Sequence, residues 1–204
     1  MTLTSIPTQQ KLTFTQFLEQ LPNEAGRYEL VNGEIVRTLP TRQHEDIADF
    51  IADAFKNEVK RCDLNYRVSD RIVIRTLTPI GTEQGRQPDV SVVDKTLWEL
   101  NRNAYTAFVD PLQVAVEIVS TNWEDDYVDK LDEYQRLGIA EYWIVDYLAI
   151  ASRSYLGNPK VPTIFVYQLD ETGSYQRQSY QGSDLILSPT FPKLQLTVEQ
   201  ILNT

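Results

Sequence analysis

The stretch 112–146, LQVAVEIVSTNWEDDYVDKLDEYQRLGIAEYWIVD, constrains the fold more than any other part of the chain. Two nearly continuous apolar runs bracket a segment whose apolar residues recur at helical spacing, so the stretch reads as strand, helix, strand. Runs this apolar suit strands covered on both faces. Two polar residues break the pattern. Glu117 interrupts the first strand, and Lys130 shares the inward helix face with Tyr127, Leu131 and Tyr134, while Asp129, Asp132, Glu133 and Arg136 take the other. A polar group at a core position is costly unless it is paired or bound.

At 204 residues the chain can bury one sizeable core, so a single domain over 1–204 is expected, with residues 1–12 flexible. Its 42% hydrophobic and 24% charged content excludes a disordered or fibrous protein. A single cysteine, Cys62, and a single histidine, His44, exclude a disulfide framework, a CxxC metal site and a multi-histidine zinc site. The first residues lack the apolar run of a signal peptide and no stretch is long enough to span a bilayer, which points to the cytoplasm and to no membrane partner. The net charge of −10 stands against a nucleic-acid partner, because phosphate binding ordinarily leaves a basic footprint.

Thr13 and Gln16 form a capping-box pattern that opens a short helix over 13–21, ended before Pro22. Asn32-Gly33 between alternating segments predicts a hairpin with strands over 27–31 and 34–38. Helical spacing of Ile47, Phe50, Ile51, Ala54, Phe55 and Val59 predicts a long helix over 41–61. Strands follow over 65–68 and 71–76, then TPIGTEQGRQ reads as an exposed loop. A strand over 89–93 comes next, and 95–105 reads as a short helix or a loop. After the central unit, with Gly138 closing its helix, β-rich segments at 149–155, 163–169 and 175–180 suggest an antiparallel extension at the sheet edge. Thr197 and Gln200 open a last short helix through Leu202. The class is α/β or α+β: a mixed central sheet flanked by helices.

Glu117 in a buried strand calls for a nearby cation: Lys130, an arginine such as Arg86, or a metal ion. Pro88-Asp89 at the head of a strand adds a second carboxylate near a solvent-facing strand end. Two carboxylates and a lysine at one point suit hydrolysis of a phosphodiester with Mg²⁺ or Mn²⁺, held by the hard oxygens of Asp89 and Glu117. Structural readings stand beside this one. Lys130 can snorkel from the helix margin, Glu117 and Lys130 can form a purely structural ion pair, and Pro-Asp is common at strand entries. Among weaker candidates, Glu29 and Glu34 could be outer acidic ligands, although charged residues in a hairpin are expected on its solvent face. His44 points inward with Ile47, Ala48 and Ile51, which fits a packed histidine better than a catalytic one. Tyr134 can line the site or simply fill the core. Arg86 could meet phosphate, with an ordinary surface arginine as the plainer reading. The acidic run 124–126 reads as a helix N-terminus favoured by the dipole.

Pro88-Asp89, then Glu117-Ile118-Val119-Ser120, then Asp126-x-x-x-Lys130-x-x-x-Tyr134-x-x-x-Gly138, then residues 141–146 (EYWIVD) together resemble the Uma-two family. That family belongs to the restriction-endonuclease-like superfamily with the PD-(D/E)-x-K motif. The hairpin segment YELVNGE and downstream His44 also resemble its N-terminal pattern, so the likeness spans about residues 13–202. It implies a restriction-endonuclease-like core and metal-dependent DNA endonuclease activity. It also implies Asp89 and Glu117 as catalytic metal ligands, with the backbone carbonyl of Ile118 a further ligand. The sequence departs from the superfamily motif at Val119, where lysine is called for; Lys130 then looks like a replacement supplied by the helix.

Two other functions compete. The chain could keep the nuclease fold as a catalytically inactive binding or assembly module, with the Trp98 and Tyr105 region for a protein partner. It could instead be a hydrolase using paired carboxylates without metal, as in glycoside cleavage, which needs no lysine on the facing helix. A homodimer is the expected assembly, twofold pairing being the commonest.

Overall fold

The structure, a computed structural model, describes residues 11–22, 24 and 26–204. The flexible start expected over 1–12 therefore falls largely outside the described residues. A capping box formed by Thr13 and Gln16 opens helix α1 (Phe14–Glu19). Strands β1 (Arg27–Val31) and β2 (Glu34–Thr38) pair antiparallel around Asn32 and Gly33, whose φ angles of 53° and 87° are those the two-residue turn demands. Thr41 caps the long helix α2 (Arg42–Cys62), which ends where Asp63 turns left-handed.

The chain continues through β3 (Tyr66–Ser69), β4 (Val73–Leu77), β5 (Glu83–Arg86) and β6 (Val90–Asp94). Next come α3 (Lys95–Glu99), capped by Asp94, then β7 (Ala107–Phe108) and β8 (Val114–Ile118). A π-helical turn at Asp125–Asp129 leads into α4 (Lys130–Leu137), which Gly138 closes at φ 91°. The remaining elements are β9 (Glu141–Asp146), α5 (Arg153–Leu156), β10 (Thr163–Leu169), β11 (Tyr175–Tyr180) and α6 (Val198–Leu202).

The expected mixed sheet is six-stranded, in the order β11-β10-β9-β8-β6-β3, with β8 and β9 the parallel pair joined through α4. β10 and β11 form its antiparallel C-terminal extension. A second sheet, β2-β1-β5-β4-β7, stands beside it. The large sheet is covered on both faces. Val114, Val116, Ile118, Trp143 and Val145 pack with α2 and α6, while Ala115, Tyr142 and Ile144 pack with Tyr127 and Tyr134. Strand alternation therefore places Glu117 on the α4 side.

Two expectations from the sequence are corrected. The supposed exposed loop 78–87 contains β5, which pairs with both β1 and β4, and Gln84, Gly85 and Arg86 are buried. Gly85 lies where a Cβ would come within 3.0 Å of the Phe17 ring and 3.2 Å of Leu30, so its glycine serves close packing rather than a turn. The strand expected at 149–155 is a turn followed by α5. Asp146 causes the break: its carboxylate accepts the Ile150 and Ala151 N–H groups at 2.9 and 3.0 Å, turning the chain away from the sheet.

Candidate active site

Glu117 lies near the end of β8 with both carboxylate oxygens occupied. Tyr134 Oη donates to Oε1 at 2.6 Å, and Lys130 Nζ lies 2.9 Å from Oε2. Lys130 is buried at the head of α4 and does not snorkel. Its ammonium also stands 3.1 Å from Asp126 Oδ1 and 3.7 Å from Glu29 Oε1, so three carboxylates share one lysine.

Asp89, just before β6, ties four elements together. Its Oδ1 is 2.9 Å from Arg27 Nη1 of β1 and 3.0 Å from His44 Nε2 of α2. Its Oδ2 accepts the Ile118 N–H at 2.8 Å, which fixes the head of β6 against the end of β8. Behind this cluster, Arg86 donates to both oxygens of Glu133 at 2.8 Å and to Glu29 at 3.2 Å. Thr76 Oγ1 donates to Glu133 at 2.6 Å, and Glu29 accepts the Gln87 N–H at 3.1 Å. Glu29 thus joins the Arg86 and Lys130 halves of one buried network.

The electrostatics follow from that crowding. Burial, with the neighbouring charges of Asp89, Asp126 and Glu29, raises Glu117 well above the usual carboxylate range despite Lys130. Burial likewise pushes Asp126 up to about 6 against the pull of Lys130. For Asp89, burial is outweighed by His44, Arg27 and the Ile118 amide, and the carboxyl is held low. Lys130 keeps its proton far above its ordinary range, since Glu117, Glu29 and Asp126 overcome burial.

Of the residues singled out in the sequence, the structure brings together Asp89, Glu117, Lys130, Glu29, His44 and Tyr134. Glu34 stays exposed at the start of β2, opposite Val31 in the hairpin. Arg86 is buried, not a surface arginine, and Glu133 is buried against it, not on the outer helix face. Arg27 reads in the sequence only as a strand residue, and Asp126 only as part of the resemblance and of an acidic helix N-terminus, not as a partner of Lys130. For Asp126 a signal was present, because it stands four residues before Lys130, a spacing that places two side chains on one helix face. Nothing local in the sequence marks Arg27.

Residues 14–199 match the Uma2 family, described as "Putative restriction endonuclease". The chain belongs to that family. Among solved structures, the Uma2 chain superposes on one described as a putative nuclease belonging to DUF820 from Anabaena variabilis ATCC 29413. The TM-score is 0.70 at 20% identity, covering 94% of this chain and 98% of the other, so the two share a fold, the restriction-endonuclease-like one. No match was found among curated proteins. Among the described residues, no helix is long and apolar enough to cross a membrane.

The departure at Val119 has a packing cause. Val119 is fully buried among Tyr127, Tyr134 and Tyr142, and its N–H bonds to Val145. A lysine there would enter the apolar cluster, whereas Lys130 reaches Glu117 from the helix. Two acidic residues at the ends of β9, also part of the resemblance, hold the fold. Glu141 accepts Trp143 Nε1, Ser188 Oγ and the Thr190 N–H, fastening the C-terminal segment to the sheet, and Asp146 holds the turn after β9 and accepts Tyr127 Oη.

The donor set fits a hard divalent cation as a two-carboxylate site. Burial, together with the charges of Asp89, Asp126 and Glu29, keeps Glu117 raised, and a divalent ion beside it would favour its charged form. Among the described residues no group of three or more His, Cys, Asp or Glu is arranged as a ready cage. A site built on Asp89, Glu117 and the Ile118 carbonyl would leave the remaining positions to water and a phosphate oxygen.

Proposed function

We propose that this Uma2 protein is a cytoplasmic, divalent-metal-dependent DNA endonuclease that hydrolyses phosphodiester bonds with Asp89, Glu117 and Lys130. The observation that carries the reading is the 2.9 Å approach of Lys130 Nζ to Glu117 Oε2, which unites the two residues that break the core pattern. Mg²⁺ or Mn²⁺ held by Asp89, Glu117 and the Ile118 carbonyl would lower the pKa of a bound water and screen the phosphate charge. Lys130, locked in its charged form, is a donor and not a base; it suits the negative charge that gathers on the phosphate in the transition state. Tyr134 holds Glu117, while Arg27, His44 and the Ile118 amide hold Asp89. A twofold pair of chains would present one such site to each strand.

Supercoiled plasmid with Mg²⁺ or Mn²⁺ tests the proposal. Nicking by wild type that is absent in Glu117→Ala and Asp89→Ala and abolished by EDTA is the expected result. A wild type that cuts no more than Glu117→Ala across salt and metal conditions overturns it.

The competing reading is a nuclease fold kept as a non-catalytic binding module. It draws on the same cluster, since every oxygen of Asp89 and Glu117 already faces a protein partner. A melting temperature unmoved by Mn²⁺ in wild type and Asp89→Ala alike, with no cleavage, favours that reading.

A further inference from the structure

A cleft of about 1090 Å³ opens between the second half of α2, β3, α3 and the segment from Leu100 to Asp110. On a chain of net charge −10 it is a local exception, with five basic lining residues against three acidic ones. All five are exposed. Lys56 and Arg102 lean on Asp53 and Glu99, but Lys60 and Lys95 form no ion pair among the described residues. Arg67 lies over the Trp98 ring at 4.3 Å, and Trp98 stacks with Phe108 at 5.9 Å and 15°. Tyr105, 66% exposed, gives the rim an aromatic face that stacks on no other ring among the described residues.

We propose that this cleft binds a nucleic-acid strand, with phosphates on Lys60, Lys95 and Arg67 and a base stacked on Tyr105. Cations alternating with aromatic rings are the general means of holding an unpaired strand, and the cleft lining carries a local positive excess on an acidic protein. The proposal rests on the nuclease reading and extends it to the substrate's path. His44, at the site, and Lys56, at the cleft, lie on one helix, twelve residues and so about 18 Å apart. That separation is about five nucleotide steps at about 3.4 Å each. A strand cut at Glu117 would therefore be gripped a few nucleotides away. The cleft also removes the objection raised by net charge, because binding needs local and not global positive charge.

Fluorescence anisotropy on the full chain in EDTA, with a labelled 15-nucleotide oligothymidylate, reads binding without cleavage. Lys60→Gln/Lys95→Gln should weaken binding at least tenfold and flatten the slope of log affinity against log salt by about 1.4. Tyr105→Ala should weaken it about fivefold or more with little change in slope. All three side chains are exposed, so unchanged melting temperatures accompany these results. If the variants bind as wild type does, or if wild type binds no strand, the cleft proposal is overturned. The plasmid assay on wild type, run beside these titrations, separates the two readings. Loss of binding in the cleft variants with a wild type that never cuts leaves the cleft standing and removes the nuclease. Cleavage by a wild type whose cleft variants bind normally does the reverse.

Discussion

Lys130 Nζ and Glu117 Oε2 meet at 2.9 Å across the crossover that joins β8 to β9, so one ion pair ties the helix to the strand beneath it. The pair is not isolated, since Asp126 and Glu29 also draw on the ammonium. Lys130→Met would leave three buried carboxylates without that charge. Breaking a buried pair by removing one partner costs about 3–5 kcal/mol. Urea unfolding at pH 8 should show a loss of that size. The loss should shrink at pH 5, where protonation of the stranded carboxylates relieves their repulsion; an equal loss at both values would mean that repulsion is not its source.

Asp126 gives a pH dependence of definite sign. Burial raises its folded pKa to about 6 from the ordinary carboxyl value of 3.8. Below the lower value both folded and unfolded chains hold the proton. Between the two only the folded chain does, so the stability it contributes is lost as pH rises from about 4 to about 6, on the order of 3 kcal/mol. Asp126→Asn removes this term. Asp89 and Glu29, held low, give the opposite slope, lost as pH falls, but they are common to both proteins. The free energy of unfolding of Asp126→Asn relative to wild type should therefore rise across pH 4–6.5. A flat difference would show that Asp126 titrates normally.

What the sequence disclosed and what it concealed divide along a physical line. Periodicity and turn chemistry are local, so Asn32-Gly33, Thr41 at the head of α2 and the pattern breaks at Glu117 and Lys130 could be read directly. Arg86 could not, because its partners Glu133 and Glu29 are 47 and 57 residues away and its strand is disguised by turn-forming neighbours. The outward reading of Glu133 failed for the same reason, since only β4 and β5 reveal what that helix face meets. Residues 149–155 misled because strand-like composition lost to two hydrogen bonds that the Asp146 carboxylate accepts from the Ile150 and Ala151 N–H groups.

Arg86 should be among the least replaceable residues in the protein. Both oxygens of Glu133 and one of Glu29 accept from its guanidinium, all out of water. Lysine cannot reproduce that planar fork, so Arg86→Lys should destabilise by about 1–3 kcal/mol, and Arg86→Ala by about 3–5 kcal/mol through stranded charge. Pairing Arg86→Met with Glu133→Gln should recover part of the second loss. A double-mutant cycle in urea measures it, and strictly additive effects would exclude the coupling.

Tyr134 tests how far Glu117 depends on being held. Its hydroxyl donates to Glu117 Oε1 at 2.6 Å from one turn beyond Lys130, and no water competes, because both groups are buried. Tyr134→Phe keeps the ring that packs on Tyr142 and removes only the donor. The lost bond to a buried acceptor should cost about 1–3 kcal/mol of stability. If Glu117 takes part in plasmid cleavage, its freed oxygen should also lower the turnover rate while leaving strand affinity unchanged, because the hydroxyl positions the carboxylate and does not reach the cleft. Tyr142→Phe is the control. Its hydroxyl donates to the Asp126 carbonyl at 2.9 Å, so its loss should reduce stability without the same fall in turnover. Equal falls in turnover for the two variants would indicate general loosening of the core rather than positioning of Glu117.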